Sequence, residues 1–163
     1  MSEIQWQYIF DPALAFDSVG YILKGLGYTL GISLASMIFG TVLGFLLAIM
    51  RMSNSKILRI IARTYISFMR GTPTLVFLFI LYFGFPFIGI QFEAVNAAII
   101  GFSLSSAAYS AEIIRSSLHS VDHGQWEAAY ALGLKWPFIM RKVIIPQAMR
   151  IAVPPMSNVL LDL

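Results

Sequence analysis

Charged residues divide this chain into long apolar stretches. Residues 25–50, between Lys24 and Arg51, carry no charge, and neither do residues 71–92, between Arg70 and Glu93, or residues 94–111, between Glu93 and Glu112. At about 1.5 Å of rise per residue, a helix of ~20 apolar residues crosses a hydrocarbon core of ~30 Å. Three membrane-spanning helices are therefore predicted. A fourth apolar stretch follows Lys142, but it carries Arg150 and the prolines Pro146, Pro154 and Pro155. It reads as a broken or unfinished span.

Between the first two runs the pattern changes. In KILRIIARTYISFMR, Lys56, Arg59, Arg63 and Arg70 recur at helical spacing, with Ser67 filling the gap, while Leu58, Ile61, Tyr65 and Phe68 lie on other sides. This predicts an amphipathic helix at the membrane surface. Two readings stay open: anchoring by arginines that snorkel to anionic lipid, and contact with a partner. At RGTPTLV, Gly71 and Pro73 predict a bend where this helix turns into the bilayer.

The third run, AVNAAIIGFSLSSAAYSAEIIRSS, is rich in glycine, alanine and serine. Small side chains let helices approach closely in lipid, so this helix is expected inside a bundle. Ser105, Tyr109, Glu112 and Ser116 recur at helical spacing, and Arg115 lies three residues from Glu112. An ionisable residue at membrane depth usually faces a cavity or a partner. Either this face lines a polar pathway, or Glu112 and Arg115 sit at the cytoplasmic boundary and pair with each other.

EAAYALGLKWPFIMRKVIIP then separates the third run from the fourth. A helix starting at Gly124 places Trp126, Tyr130 and Leu134 on one side and Gly124, Ala128 and Ala131 on the other, flanked by Gln125 and Glu127. Gly133 suits a helix end, Pro137 forces a turn, and Pro146 cannot extend a regular helix from RKVII without freeing a carbonyl. The expectation is a short helix lying across the end of the bundle, exposed for docking. The alternative is a re-entrant connector without a partner.

Composition agrees with the run lengths: 58% of residues are hydrophobic and 12% charged, and the mean hydropathy is +0.78. A water-soluble core does not hide that much apolar surface. Basic residues near span ends are retained in the cytoplasm. Arg51, Lys56, Arg59, Arg63 and Arg70 follow the first run, and Arg115, Lys135, Arg141 and Lys142 follow the third, whereas residues 84–92 contain none. The N-terminus is therefore expected outside. The net charge of +3 is a topology signal, and nucleic-acid binding is not needed to explain it. Glu3, Asp11 and Asp17 precede the first run against one Lys24, and that run is too long for a secretory signal, so the first span is expected in the mature protein.

Catalytic chemistry finds little purchase. There is no cysteine, hence no disulfide framework and no thiolate site. His119 and His123 lie four apart with no catalytic or metal-ligating cluster around them, and read as ordinary loop residues. No Gly-x-x-x-x-Gly-Lys-Ser/Thr phosphate loop occurs.

Glu127-Ala128-Ala129, Gly133, Val143, Ile145 and Pro146 stand at the spacing of the EAA motif, and on them the chain resembles the permease subunits of ABC importers. Val143 replaces the usual isoleucine and Ile145 the usual leucine. RGTPTLVFLF, AYSAEIIRSS, GQWEAAYALGL and IIPQAMRIAVPPMSN are similar to the polar amino acid subfamily, the histidine, arginine, glutamine and cystine permeases. The resemblance covers roughly residues 20–158. It implies an all-α membrane protein, a polytopic helical bundle of the type I ABC importer permease kind with a cytoplasmic coupling helix, in the cell (inner or plasma) membrane.

In that family two permease subunits form the pathway, as a homodimer or with a paralogue. An extracytoplasmic amino-acid-binding protein delivers the substrate, and cytoplasmic ATPase subunits bind ATP and magnesium, so no cofactor and no enzymatic activity are expected in this chain. The resemblance assigns residues 125–134 to the coupling helix, with Gln125, Trp126, Glu127, Ala128, Ala129 and Gly133 as ATPase-coupling residues. For a zwitterionic substrate, Glu112 offers an acceptor to the ammonium, and Arg115, Ser105 and Ser106 offer donors to the carboxylate. Tyr109 and Asn158 are placed on the same tentative pathway. Relatives continue past PPMSN through a charged loop and a fifth span, whereas this chain ends in VLLDL, so residues 1–163 are expected to be one C-terminally incomplete permease domain. The competing class is an ATP-independent channel or secondary transporter, whose sign, inverted repeats, is not seen.

Overall fold

The structure, a computed structural model, describes residues 12–163. Glu3 and Asp11, which enter the N-terminal charge pattern, lie outside the described residues. The described residues form an all-helical bundle: α1 (Pro12–Met52), α2 (Lys56–Gly71), α3 (Thr74–Phe79) with a following π-turn (Ile80–Gly84) and 3-10 turn (Phe85–Ile88), α4 (Ala94–His119), α5 (His123–Ala131), α6 (Trp136–Ile139) with a second π-turn (Met140–Ile144), and α7 (Ile145–Leu161).

α1 is longer than its uncharged run. Its 41 residues reach roughly 60 Å, about twice the thickness of the hydrocarbon core. The side chains described between positions 13 and 31 are exposed, apart from the half-buried Ser18. Burial begins at Ser33 and continues through Ser36, Gly40, Gly44, Leu47 and Ala48, where α1 lies along α4.

The two helices run parallel and almost touch. A Cβ added at Gly40 stands 2.0 Å from Ser106 Oγ and 3.1 Å from the Ser103 carbonyl oxygen, and one added at Gly44 stands 2.6 Å from Ser110 Cβ and 2.9 Å from the Ala107 carbonyl oxygen. Small residues at four-residue spacing, Ser36, Gly40, Gly44 and Ala48, make this approach possible. Hydroxyls secure it: Ser36 Oγ donates to the Ile99 carbonyl at 3.4 Å, and Ser106 Oγ donates to the carbonyls of Ser36 (3.4 Å) and Ser103 (3.3 Å).

The amphipathic helix is confirmed with a different inner face. α2 buries Ala62, Ile66 and Met69 against Leu47, Ala48, Ala107, Ala108 and Ala111 of α1 and α4. Tyr65 joins that contact, its hydroxyl donating to the Leu104 carbonyl at 2.9 Å. Leu58, Ile61 and Phe68 remain exposed, with Ile57 and Ile60. The expected bend is present, with the axes of α2 and of residues 74–88 differing by 100° across Thr72 and Pro73.

The broken character expected of the fourth stretch is seen, and the second predicted span is shorter than its uncharged run. By length and composition, α1 and α4 are each able to cross a membrane, and the bent α2–α3 pair supplies a third candidate. The run 71–92 is helical only from Thr74 to Ile88, closed by Gly89 at φ +81°. At ~1.5 Å per residue that piece reaches roughly 20 Å, short of a full crossing. α7 has 17 residues and contains Pro154 and Pro155, neither of which donates a backbone hydrogen bond. Pro146 does not stop the chain, because the π-turn before it lets the Ile145 N–H bond to the Met140 carbonyl, five residues back.

The glycines of α1 give a graded test. Gly44→Ala drives Cβ into a backbone carbonyl and a Cβ atom, so it is expected to destabilise by about 1–3 kcal/mol. Gly40→Ala is expected to cost less, since the Ser106 hydroxyl can rotate away at the loss of its shared hydrogen bond to the Ser36 and Ser103 carbonyls. Gly31→Ala has nothing within 4 Å and is expected to be neutral or to gain up to ~1 kcal/mol of helix propensity. Thermal unfolding in detergent checks the order, and equal losses at the three positions would show that the α1–α4 contact is not this tight.

Candidate coupling helix and polar cluster

α5 is nine residues long, too short to persist alone in water. Its ends are fixed locally. Asp122 is the N-cap, its Oδ1 accepting from the Gly124 N–H at 2.6 Å. At the other end Gly133 adopts φ +70°, its N–H bonds to the Tyr130 carbonyl (2.9 Å), and the Leu134 N–H bonds to the Ala129 carbonyl (3.2 Å). These paired bonds are a Schellman closure, for which the left-handed glycine is the natural residue. Nothing lies within 4 Å of a Cβ at Gly133, so its requirement is conformational rather than steric.

The inner side of α5 is narrow. Ala129 is buried with Val121, Ile139, Ile144 and Ala148, and Trp126 and Leu134 pack against that cluster. Gln125 Oε1 accepts from Gln147 Nε2 at 3.0 Å, a second tie to α7. Tyr130 does not share the Trp126 side as the helical wheel placed it: Tyr130 is exposed, as are Glu127, Ala128 and Ala131, while Leu132 is 77% exposed. Of the six coupling candidates, Gln125, Glu127, Ala128 and Gly133 are thus on the outside. Trp126 and Ala129 face the chain's own core, because the α5–α7 contact needs a small residue and a ring to close it.

The serine and glutamate face of α4 divides among three neighbours. Ser105 is buried, and its hydroxyl lies 3.1 Å from Thr74 Oγ1, joining α4 to α3. Ser106 is consumed by the α1 contact. Tyr109 is exposed, with the Arg70 guanidinium 5.5 Å from its ring centroid. Glu112 is held from two sides, with Arg51 Nε 3.3 Å from Oε2, and with Arg115 Nε donating to Oε1 at 3.2 Å while Arg115 Nη2 also bonds that oxygen. Glu112 and Arg115 therefore pair with each other, and Arg51 joins them from the end of α1. Sequence spacing alone misses Arg51, which is brought in by the parallel α1–α4 contact.

Asn158 lies on the exposed side of α7, its carbonyl accepting from the Asp162 N–H at 3.0 Å. The ion pairs and hydrogen bonds of the Glu112 cluster are made with Arg51 and Arg115 and do not include it. No group of three or more histidine and acidic residues able to hold a metal occurs among them either.

Comparison with known proteins places this arrangement. The family described as the binding-protein-dependent transport system inner membrane component matches residues 40–163. The chain is 60% identical over 163 residues to the probable amino-acid ABC transporter permease protein YckA of Bacillus subtilis (strain 168), a match covering 100% of this chain and 72% of that protein. It is 42% identical over 139 residues to the L-cystine transport system permease protein TcyB of the same organism, covering 85% of this chain and 59% of TcyB. Among solved structures, a chain from the crystal structure of an amino acid ABC transporter with histidines superposes with a TM-score of 0.88 at 35% identity, covering 94% of this chain and 72% of that one. On the family match and these identities, this chain belongs to the family of inner membrane components of binding-protein-dependent transport systems.

Proposed function

We propose that this chain is the permease subunit of an ATP-driven importer for polar amino acids, and that α5 is the helix through which a separate ATPase drives it. The observation that carries the reading is the construction of α5. A nine-residue helix is fixed at both ends by caps, tied to α7 by Ala129 and Gln125, and left bare on its outer side. A helix held this firmly transmits a push to α7 and, through Ser120 and Val121, to α4. Its exposed small residues Ala128 and Ala131 permit close approach, and Glu127 and Leu132 offer one charge and one apolar anchor to a groove. The N-terminus outside, as the basic residues favour, sets α5 in the cytoplasm, where the ATPase would meet it.

On this reading a second permease subunit completes the pathway and an extracytoplasmic binding protein supplies the amino acid. ATP and magnesium stay with the ATPase. Closure of two ATPase subunits draws the two α5 helices together, and the helices packed on them rock as rigid bodies, so that access alternates.

Co-purification tests the coupling helix. From native membranes, the wild-type chain is expected to bring down an ATP-hydrolysing subunit. Glu127→Lys and Leu132→Asp, both on the exposed side, are expected to reduce the captured ATPase at least about tenfold, since an interface anchor is worth ~2 kcal/mol or more. Folding is expected to be unchanged. Undiminished capture by both variants would remove α5 from the interface, and absence of any ATPase with wild type would sink the importer reading.

The Glu112 cluster gives a separate expectation. Glu112→Gln leaves Arg51 and Arg115 without their shared anion, but the group is partly exposed, so the stability loss is expected to stay within about 1 kcal/mol. Uptake of labelled amino acid into cells is expected to fall while the amount of assembled complex holds. Unchanged uptake would take Glu112 off the pathway.

A further inference from the structure

The turn joining α1 to α2 and the C-terminal part of α4 border an open recess of about 310 Å³. Four guanidinium groups from three helices line it: Arg51 of α1, Arg59 and Arg63 of α2, and Arg115 of α4. Ser53 and Asn54 of the turn add neutral donors, and His119 closes the α4 side. No carboxylate lines the space. Glu112 lies behind it and engages Arg51 through Nε and Arg115 through Nε and Nη2. An arginine carries five N–H donors, so Nη1 and Nη2 of Arg51 and Nη1 of Arg115 are left over. Arg59 and Arg63 have no acidic partner among the described residues.

One carboxylate against four guanidiniums leaves a positive excess around a recess open to solvent, with Arg51 and Arg115 half-buried and Arg59 and Arg63 exposed. Like charges gathered this way repel unless an anion enters, and arginine forks converging from several directions match the tetrahedral oxygens of a phosphate better than the planar pair of a carboxylate. The volume is about ten times the ~30 Å³ share of one water, which accommodates a phosphate group with part of its hydration. We propose that this recess is a binding site for a phosphate-bearing anion.

Two sources present that chemistry, an anionic lipid headgroup and free inorganic phosphate. The surroundings favour the headgroup, because Ile57, Ile60 and Ile61 are 70%, 63% and 52% exposed on the same helix as Arg59 and Arg63 and offer apolar surface to acyl chains. The basic stripe of α2 is thereby divided, with Arg59 and Arg63 turned to the recess and Arg70 to the Tyr109 ring.

The test uses the full-length chain in two settings. In lipid-free neutral detergent, inorganic phosphate is titrated at constant ionic strength and thermal unfolding is followed. In nanodiscs of phosphatidylcholine with and without phosphatidylglycerol, retained lipid is counted by native mass spectrometry after release into detergent. Retention of phosphatidylglycerol without a response to inorganic phosphate assigns a headgroup, and a rise in unfolding temperature with inorganic phosphate assigns a soluble anion. Either outcome supports the site if Arg59→Gln with Arg63→Gln weakens binding roughly tenfold or more, as removal of two charges at an anionic group predicts. Arg141→Gln with Lys142→Gln, remote from the recess, is expected to leave it within about twofold.

Should the glutamine pair fold poorly, Arg59→Lys with Arg63→Lys keeps the charge and removes the paired donors, and is expected to weaken binding by a smaller factor. Binding of neither probe, equal weakening by the remote pair, or unchanged phosphate binding together with loss of a co-purifying protein would each overturn the proposal.

Discussion

The contact on which the rest of this structure depends is the parallel approach of α1 to α4 across Gly40 and Gly44. In lipid there is no hydrophobic gain from burying one apolar helix against another, since the alternative neighbour is equally apolar. What remains is close packing and the few hydrogen bonds that close packing brings within reach. The serine pair Ser36 and Ser106 is such a case: its 3.4 Å bonds to the facing backbone exist only because two glycines let the helix surfaces meet. A larger residue at Gly44 separates the helices, and those bonds are lost with the contact.

Everything on one end of the bundle follows from that register. Because α1 and α4 run in the same direction, advancing along both from Gly44 and Ala107 brings Arg51 beside Glu112. α2 then folds back over the pair, buries Ala62, Ile66 and Met69 on Ala107, Ala108 and Ala111, and carries Arg59 and Arg63 to the same end. For the α2 contact the alanines of α4 do what the glycines of α1 do for the α1–α4 contact. A third helix reaches α4 because Ala107, Ala108 and Ala111 leave the side that faces it nearly smooth.

How much of this the sequence discloses depends on the length scale of the signal. Uncharged runs reveal α1 and α4 because solvation in lipid acts on whole segments, and the α2–α3 bend is visible in Gly71 and Pro73 because backbone chemistry acts locally. The closure of α5 is legible for the same reason, down to Gly133 in the left-handed region. The small-residue series Ser36, Gly40, Gly44 and Ala48 is also plain once it is sought, at strict four-residue spacing. What cannot be read locally is pairing. Nothing between Lys24 and Glu112 announces that Arg51 will reach Glu112, or that Tyr130 will turn outward while Trp126 turns in, since those outcomes depend on which helices meet and at what register. Run length also overestimates spans: residues 71–92 are apolar enough to cross, but Pro86 and the glycines at 84 and 89 shorten the helix that forms.

The two π-turns bear on how such a bundle moves. Each lies where a proline interrupts the regular ladder, before Pro86 and before Pro146, and each holds its hydrogen bond one residue further back than an α-helix does. The second stands between α6 and the length of α7, with Ile139 just before it and Ile144 at its end both fully buried in the cluster that holds α5. A force applied to α5 therefore passes through a segment whose backbone is already widened, with well-packed side chains and an adjustable ladder. By contrast the α1–α4 contact has backbone against backbone and no such slack. The chain thus combines one rigid pair with one helix joined to it through a π-turn, and if α5 has the coupling role proposed for it, a push there is expected to tilt α7 relative to that pair rather than part α1 from α4.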